Sequence, residues 1–219
     1  MNSLPPVICQ AILFDLDGTL IDSASRVQRL WLGWAKKHGI DPRSLLEVMH
    51  GRRADETIRI IAPHLSVQVE FRALEAEEIS DMAGVRSYPR ARDLLRQLNP
   101  EQWAIVTSGT RRVATARMRH VGLPEPKVFI TARDVRAGKP APDGYLLAAD
   151  RLGVKPADCV VIEDAPAGIQ AGKSAGMKVI AVSTTLSDEA LSQADVVVPH
   201  LSDIQFQVSG QRISIQFHL

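Results

Sequence analysis

The chain has 219 residues, with 26 Lys+Arg against 25 Asp+Glu, a formal net charge of +1, and 45% hydrophobic residues. This composition excludes a disordered chain. The near-zero charge leaves neither the basic field that holds a nucleic acid backbone nor an acidic excess for a basic partner, so no nucleic acid is expected and small-molecule chemistry is. A length of this order fits one large domain, or a domain that carries a smaller one.

In chain order, the first apolar run covers residues 7–16. No basic region precedes it and no small-residue cleavage site follows. No stretch reaches the roughly 20 apolar residues of a membrane span, so no membrane association is expected. Cys9 and Cys159 lie in or beside apolar runs without metal-ligand spacing, and two cysteines are too few for a disulfide framework. They read as buried thiols of a reducing compartment, which predicts a cytoplasmic protein. Within the first run, Ala11 to Phe14 reads as a strand that ends at Asp15. The same pattern of a short apolar run closing on a polar residue returns at 104–106 before Thr107, 159–162 before Glu163 and 179–182 before Ser183. Such runs are the buried strands of a parallel sheet, and 195–198 closes the series. Helical stretches at 91–98, 111–120, 144–152 and 167–175 alternate with them, which predicts an α/β fold with a doubly wound, Rossmann-like parallel sheet.

Residues 23–85 interrupt the alternation. Val27, Leu30, Trp31 and Trp34 fall at i, i+3, i+4 and i+7, the stripe of an amphipathic helix, and Gly39 stops it. Further helices are predicted at 45–49, at 55–61 before Pro63 and at 67–82. The expected organisation is a core of residues 1–21 and 87–219 with a helical domain, 22–86, inserted after the first strand. Glu75, Glu77 and Glu78 read as the solvated face of the last inserted helix. The tail, 205–219, has a β-like pattern around Ser209-Gly210 that suggests a hairpin, and no role is assigned to it.

The chemistry-bearing residues collect at the strand ends. Asp15 and Asp17 are two apart at the end of an apolar strand, so both carboxylates project to one side if the strand stays extended, an arrangement that is costly without a cation. In open α/β sheets ligands bind beyond the carboxyl ends of the strands. Glu163 and Asp164 repeat the pattern, and two carboxylate pairs can complete an oxygen cage for a hard ion, with Mg2+ the natural candidate. Asp164 also reads as a helix cap before Ala165-Pro166. Ser108-Gly109 follows a strand and precedes a helix, where a hydroxyl and free backbone N–H groups can hold a phosphate oxygen. An N-cap role for Ser108 or Thr110 fits those residues nearly as well, as does a phosphate contact from Thr107. Lys139, held between Gly138 and Pro140, can neutralise phosphate or bridge to Asp15.

Asp15-Leu16-Asp17-Gly18-Thr19-Leu20, Ser108-Gly109, Lys139-Pro140 and Glu163-Asp164, in this order and spacing, resemble the haloacid dehalogenase-like (HAD) phosphohydrolases over about residues 11–204. The inserted helices look like that superfamily's small mobile cap, nearest the sugar phosphatases and β-phosphoglucomutase-like members. The resemblance implies a magnesium-dependent phosphomonoester hydrolase that acts on small sugar or polyol phosphates through an aspartyl-phosphate. Asp15 would be the nucleophile and Asp17 its proton partner. Mg2+ would be held by Asp15, the backbone carbonyl of Asp17 and Asp164, with Glu163 acting directly or through water. Ser108, Gly109 and Lys139 would bind the transferring phosphoryl group.

Asp17 speaks against the dehalogenase branch, which lacks this second carboxylate. Lys36 and Lys37, the only lysines of the insertion, lie on a solvated helix and speak against imine chemistry. The motifs leave a phosphomutase open, and a phosphoglycolate phosphatase is a further alternative. A signalling receiver is a poorer fit, because receivers need only about 120 residues in one compact domain and phosphorylate an acid on a middle strand. In the cap, the turn His50, Gly51, Arg52 and Arg53 is the expected substrate reader, and it reads equally well as a basic surface loop. The expected partner is a phosphorylated small molecule, and the protein is expected to be a monomer.

Overall fold

A computed structural model describes residues 4–49 and 52–218. Strand β1 (Val7–Cys9) is separated from β2 (Ala11–Phe14) by Gln10, whose N–H donates to the Asp158 carbonyl. The single apolar run of the sequence is therefore two strands in two sheets. The short β3 (Ile21–Asp22) leads into the helices α1 (Ala24–His38), α2 (Pro42–Met49), α3 (Ala54–Ile61) and α4 (Val67–Ser80), and β4 (Arg86–Ser87) returns antiparallel beside β3. Then follow α5 (Ala91–Gln97), β5 (Trp103–Val106), α6 (Arg111–Val121), β6 (Val128–Ile130), α7 (Asp143–Leu152), β7 (Cys159–Glu163), α8 (Pro166–Ser174), β8 (Lys178–Val182) and β9 (Val196–Val198). A hairpin, β10 (Ile204–Ser209) and β11 (Arg212–Phe217), completes the fold.

The main sheet has the order β6-β5-β2-β7-β8-β9, and every pairing in it is parallel. From β2 the chain builds outward through β5 to β6, then crosses to β7 and builds the other way. The switch point lies beside β2, the place where a doubly wound sheet opens a crevice for ligands.

Alternation along β2 supplies both faces of the core. Ile12 and Phe14 join Ile105, Ile162 and Met118 on one face, whereas Ala11 and Leu13 join Val161, Tyr145 and Ile169 on the other. A three-stranded antiparallel sheet, β1-β11-β10, covers the first face with Phe206, Ile213, Ile215 and Phe217. The sequence reading of a terminal hairpin is met, and its role is to cap that apolar surface.

The inserted helices have a separate core of Leu30, Trp31, Trp34, Leu45, Ile58 and Leu74. Three of the four residues of the predicted α1 stripe are buried there, with Val27 packed at its edge. Within it, buried Glu70 accepts from Trp34 Nε1 at 2.9 Å, so a carboxylate inside the bundle has a partner.

Candidate active site

The carboxyl ends of β2, β5 and β7 meet under the inserted helices at a cavity of about 730 Å³, bounded by Asp15, Asp17 and Lys139 on the sheet side and by Trp31, Met49 and Phe71 on the helical side. Asp15 is the first residue beyond β2, and its N–H donates to Ile162 O of the neighbouring strand at 2.9 Å. Pairing of β2 with β7 thus carries Asp15 to the same level as Glu163 and Asp164. The carboxylates of these three buried residues could face a common ion.

Lys139 reaches into this group from the loop before α7. Its ammonium donates to Asp15 Oδ1 and, at 2.5 Å, to Glu163 Oε1. Glu163 is further engaged by the Tyr145 hydroxyl at 2.8 Å and, through Oε2, by the backbone N–H groups of Asp164 and Ala165 at 3.0 and 3.2 Å. Gly168 permits the close approach of α8, because an added Cβ would overlap the Glu163 carboxylate.

Asp164 accepts from Thr185 Oγ1 at 2.5 Å and from Thr19 Oγ1 at 3.5 Å. It lies against the turn at Gly18, whose φ of 94° and lack of a side chain are both required, since a Cβ there would strike the Asp164 carboxylate. Thr184 donates to Gly18 O and ties the same turn to the β8–β9 connection.

Three carboxylates face one ammonium, which leaves two uncompensated negative charges in a buried, all-oxygen site. Burial drives the Asp15 carboxyl well above its ordinary value despite Lys139, and drives Asp164 to about 7, with Glu163 adding to the effect. Burial alone would lower Lys139, but the adjoining Asp15 and Glu163 carboxylates outweigh it and hold the ammonium charged. A hard divalent cation with oxygen ligands fits this donor set and its charge deficit.

Asp17 turns toward the inserted helices. Its Oδ1 accepts from Ser23 Oγ at 2.7 Å and faces Arg117 Nη1 of α6 at 2.7 Å. The other arm of Arg117 donates to Glu78 Oε1 of α4 at 3.1 Å. Burial lowers and the two carboxylates raise the Arg117 pKa, and the carboxylates prevail. Burial raises Glu78. One exposed turn away, Arg112 donates to Glu75 at 2.8 Å. The solvated-face reading of the three glutamates therefore holds for Glu77 alone, and Glu75 and Glu78 join α4 to α6.

Ser108 and Gly109 line the cavity beyond β5. The N-cap of α6 is Thr110, whose hydroxyl accepts from Val113 N at 3.3 Å, and Thr107 Oγ1 accepts from Gly109 N at 3.0 Å. Ser108 and Gly109 thus stand at the cavity while their neighbours do the local capping. Arg52 is exposed at the rim. Arg53 also borders the cavity, but its Nη atoms donate to the carbonyls of Arg136 and Val135 at 3.2 and 3.1 Å, bracing α3 against the loop that carries Lys139. His50 and Gly51, named with them in the sequence, lie outside the described residues.

Sequence reasoning missed Tyr145, Thr185 and Arg117. The first two belong to stretches that read as ordinary helix and loop, and Arg117 is one of several arginines between 111 and 119 with nothing local to mark it.

A family model described as haloacid dehalogenase-like hydrolase matches residues 9–176. Hexitol phosphatase A of Escherichia coli K12 is 45% identical over 90% of this chain and 93% of its own. Glycerol-1-phosphate phosphohydrolase 2 of Saccharomyces cerevisiae is 39% identical over 89% and 84%. Among solved structures, β-phosphoglucomutase of Clostridium difficile superposes with a TM-score of 0.76 at 26% identity, covering 88% of this chain and 91% of that one.

Proposed function

The chain belongs to the haloacid dehalogenase-like hydrolases, and we propose that it releases phosphate from small sugar or polyol phosphates with Mg2+ as cofactor and an aspartyl-phosphate at Asp15 as intermediate. It is a phosphatase of sugar or polyol phosphates, as its hexitol and glycerol phosphatase relatives indicate. The observation that carries the chemistry is the buried Asp15 carboxylate, directed by Lys139 and backed by Asp164 at the switch point of the sheet.

A carboxylate oxygen of Asp15 attacks phosphorus as the bond to the sugar oxygen breaks, and Asp17 gives that oxygen its proton. Asp17, now a carboxylate, takes a proton from water. The water oxygen attacks phosphorus, the bond to Asp15 breaks, and inorganic phosphate leaves. Lys139, Ser108 and Gly109 hold the phosphoryl oxygens, so much of the catalysis is positioning and charge neutralisation. Asp15, the backbone carbonyl of Asp17 and Asp164 are the groups that would hold Mg2+, which when bound supplies positive charge to offset the phosphate. Glu163 acts here by fixing Lys139 rather than as a direct ligand, because its oxygens already accept from Lys139, Tyr145 and two backbone N–H groups.

Residues 22–86 serve as a mobile cap over a core of 1–21 and 87–219, and Arg52 reads the substrate while Arg53 braces the cap. Hydrolysis is favoured over mutase chemistry because identity to the hexitol phosphatase, 45%, exceeds the 30% to a β-phosphoglucomutase of Bacillus subtilis. The reading places a monomer in the cytoplasm. Among the described residues no helix is long and apolar enough to cross a membrane. The test is phosphate release across a panel of sugar, polyol and glycolate phosphates with Mg2+, in wild type and Asp15→Asn. Turnover of sugar or polyol phosphates that vanishes in the variant is expected. An Asp15→Asn protein that keeps more than a few per cent of wild-type release, without deamidation, overturns the nucleophile assignment.

A further inference from the structure

Arg117 is a buried guanidinium that grips one carboxylate from the catalytic loop and one from the inserted helices: Asp17 at 2.7 Å and Glu78 at 3.1 Å. The nearby Arg112–Glu75 pair joins the same two helices, but its arginine side chain is 72% exposed against 5% for Arg117. An exposed pair contributes little, whereas a buried charge that loses a partner is strongly disfavoured. The contact between α4 and α6 therefore depends on Arg117. Asp17 Oδ1 is held from a second side by Ser23, the residue that leads into α1. The plane of the Asp17 carboxylate is thus fixed by one group on the core and one at the root of the insertion.

A further anchor lies on α1, where buried Arg26 donates to the carbonyls of Glu77 and Asp81 at the end of α4. Glu78 is consequently carried on a rigid unit of α1 and α4, and any movement of that unit relative to α6 must pull Glu78 from Arg117 or drag Arg117 with it.

We propose that Arg117 is a positioning residue for proton transfer by Asp17, and that Glu78 makes this positioning depend on where the inserted helices sit. The proposal rests on the reading of Asp17 as the proton partner. Arg117 touches no reacting atom. It orients the carboxylate that does, and the forked guanidinium is suited to holding two carboxylates at once.

The test compares kcat/KM for glycerol 1-phosphate, whose alkoxide needs a proton to leave, with that for 4-nitrophenyl phosphate, whose phenolate leaves without one. The ratio of the two reports proton donation, and a general defect of folding or phosphate binding does not move it. Asp17→Asn should collapse the ratio, and if it does not, the reading of Asp17 fails rather than the role of Arg117. With that control in place, Arg117→Met should lower the ratio by about tenfold or more, Arg117→Lys should recover part of it, and Glu78→Gln should fall between wild type and Arg117→Met. Equal losses on both substrates in Arg117→Met would reduce Arg117 to a structural ion pair, and a wild-type ratio in Glu78→Gln would remove the link to the insertion. If Arg117→Met does not fold, Arg117→Lys decides: a ratio lowered by about threefold or more supports the proposal and an unchanged ratio overturns it.

Discussion

Tyr145→Phe isolates the hydrogen bond that fixes Glu163. Tyr145 is fully buried on α7, and its hydroxyl lies 2.8 Å from Glu163 Oε1. The substitution removes one oxygen and keeps the ring, which also lies beneath the Lys139 ammonium, 5.4 Å from the ring centroid. Packing and the cation–ring contact therefore survive, and only the donor is lost. Hydrogen bonds to charged groups contribute about 1.5–3 kcal/mol. For 219 residues the unfolding entropy is about 0.46 kcal/mol/K, so Tm should fall by about 3–7 °C. Lys139 and the two backbone N–H groups still hold Glu163, so kcat/KM should drop by no more than about tenfold, and equally for all phosphate esters. Scanning calorimetry and the substrate panel check both parts. A Tm within about 1 °C of wild type would refute the argument that Glu163 depends on this donor.

Four further outcomes are expected. Activity should require Mg2+, with Ca2+ inhibiting because its larger radius and looser coordination misplace the nucleophile; full turnover in excess chelator would contradict the assignment. Without metal, Asp164 holds its proton to about pH 7 when folded, against an ordinary value of 3.8. Its favourable contribution is thus complete below about pH 4 and lost as pH rises through 7. Denaturant titrations should show metal-free wild type losing up to about 4 kcal/mol relative to Asp164→Asn across that window, and a flat difference would show that Asp164 is not the titrating group. Finally, Arg52→Ala should change the order of preference among sugar phosphates while sparing an aryl phosphate, whereas Lys139→Ala should depress all alike. Arg53→Ala should lower Tm and activity together because it unties α3 from the loop of Lys139. Uniform losses in Arg52→Ala would remove that residue from specificity.

The parallel sheet was legible because β2, β5, β7 and β8 are short and almost wholly buried, which forces unbroken apolar runs into the sequence. The strand-end acids were legible for the same reason, since charge stands out where such a run stops. Strand β6 escaped notice because three residues, Val128–Ile130, leave no pattern to count, and β3 and β4 have two residues each. Arg117 was passed over and Glu78 misread for a different reason. A charged residue at helical spacing has the same signature whether it faces water or another helix, and only the approach of α4 to α6 separates the two. Arg53 shows the same ambiguity, because its position in the chain indicates the cavity while both its Nη atoms donate to backbone carbonyls.

The antiparallel pairing of β3 with β4 places the exit and return of the insertion one strand spacing apart, roughly 5 Å. To the sheet, everything between Asp22 and Arg86 is a single side branch on a two-stranded stem. Such a branch can be exchanged or resized during evolution without resetting the register of any core strand, so new substrate preferences can be grafted onto an unchanged reaction centre. The graft is not unconditional. Arg117 waits on the core side with one arm extended, and an incoming branch that brings no carboxylate to the place of Glu78 would leave a buried cation half answered.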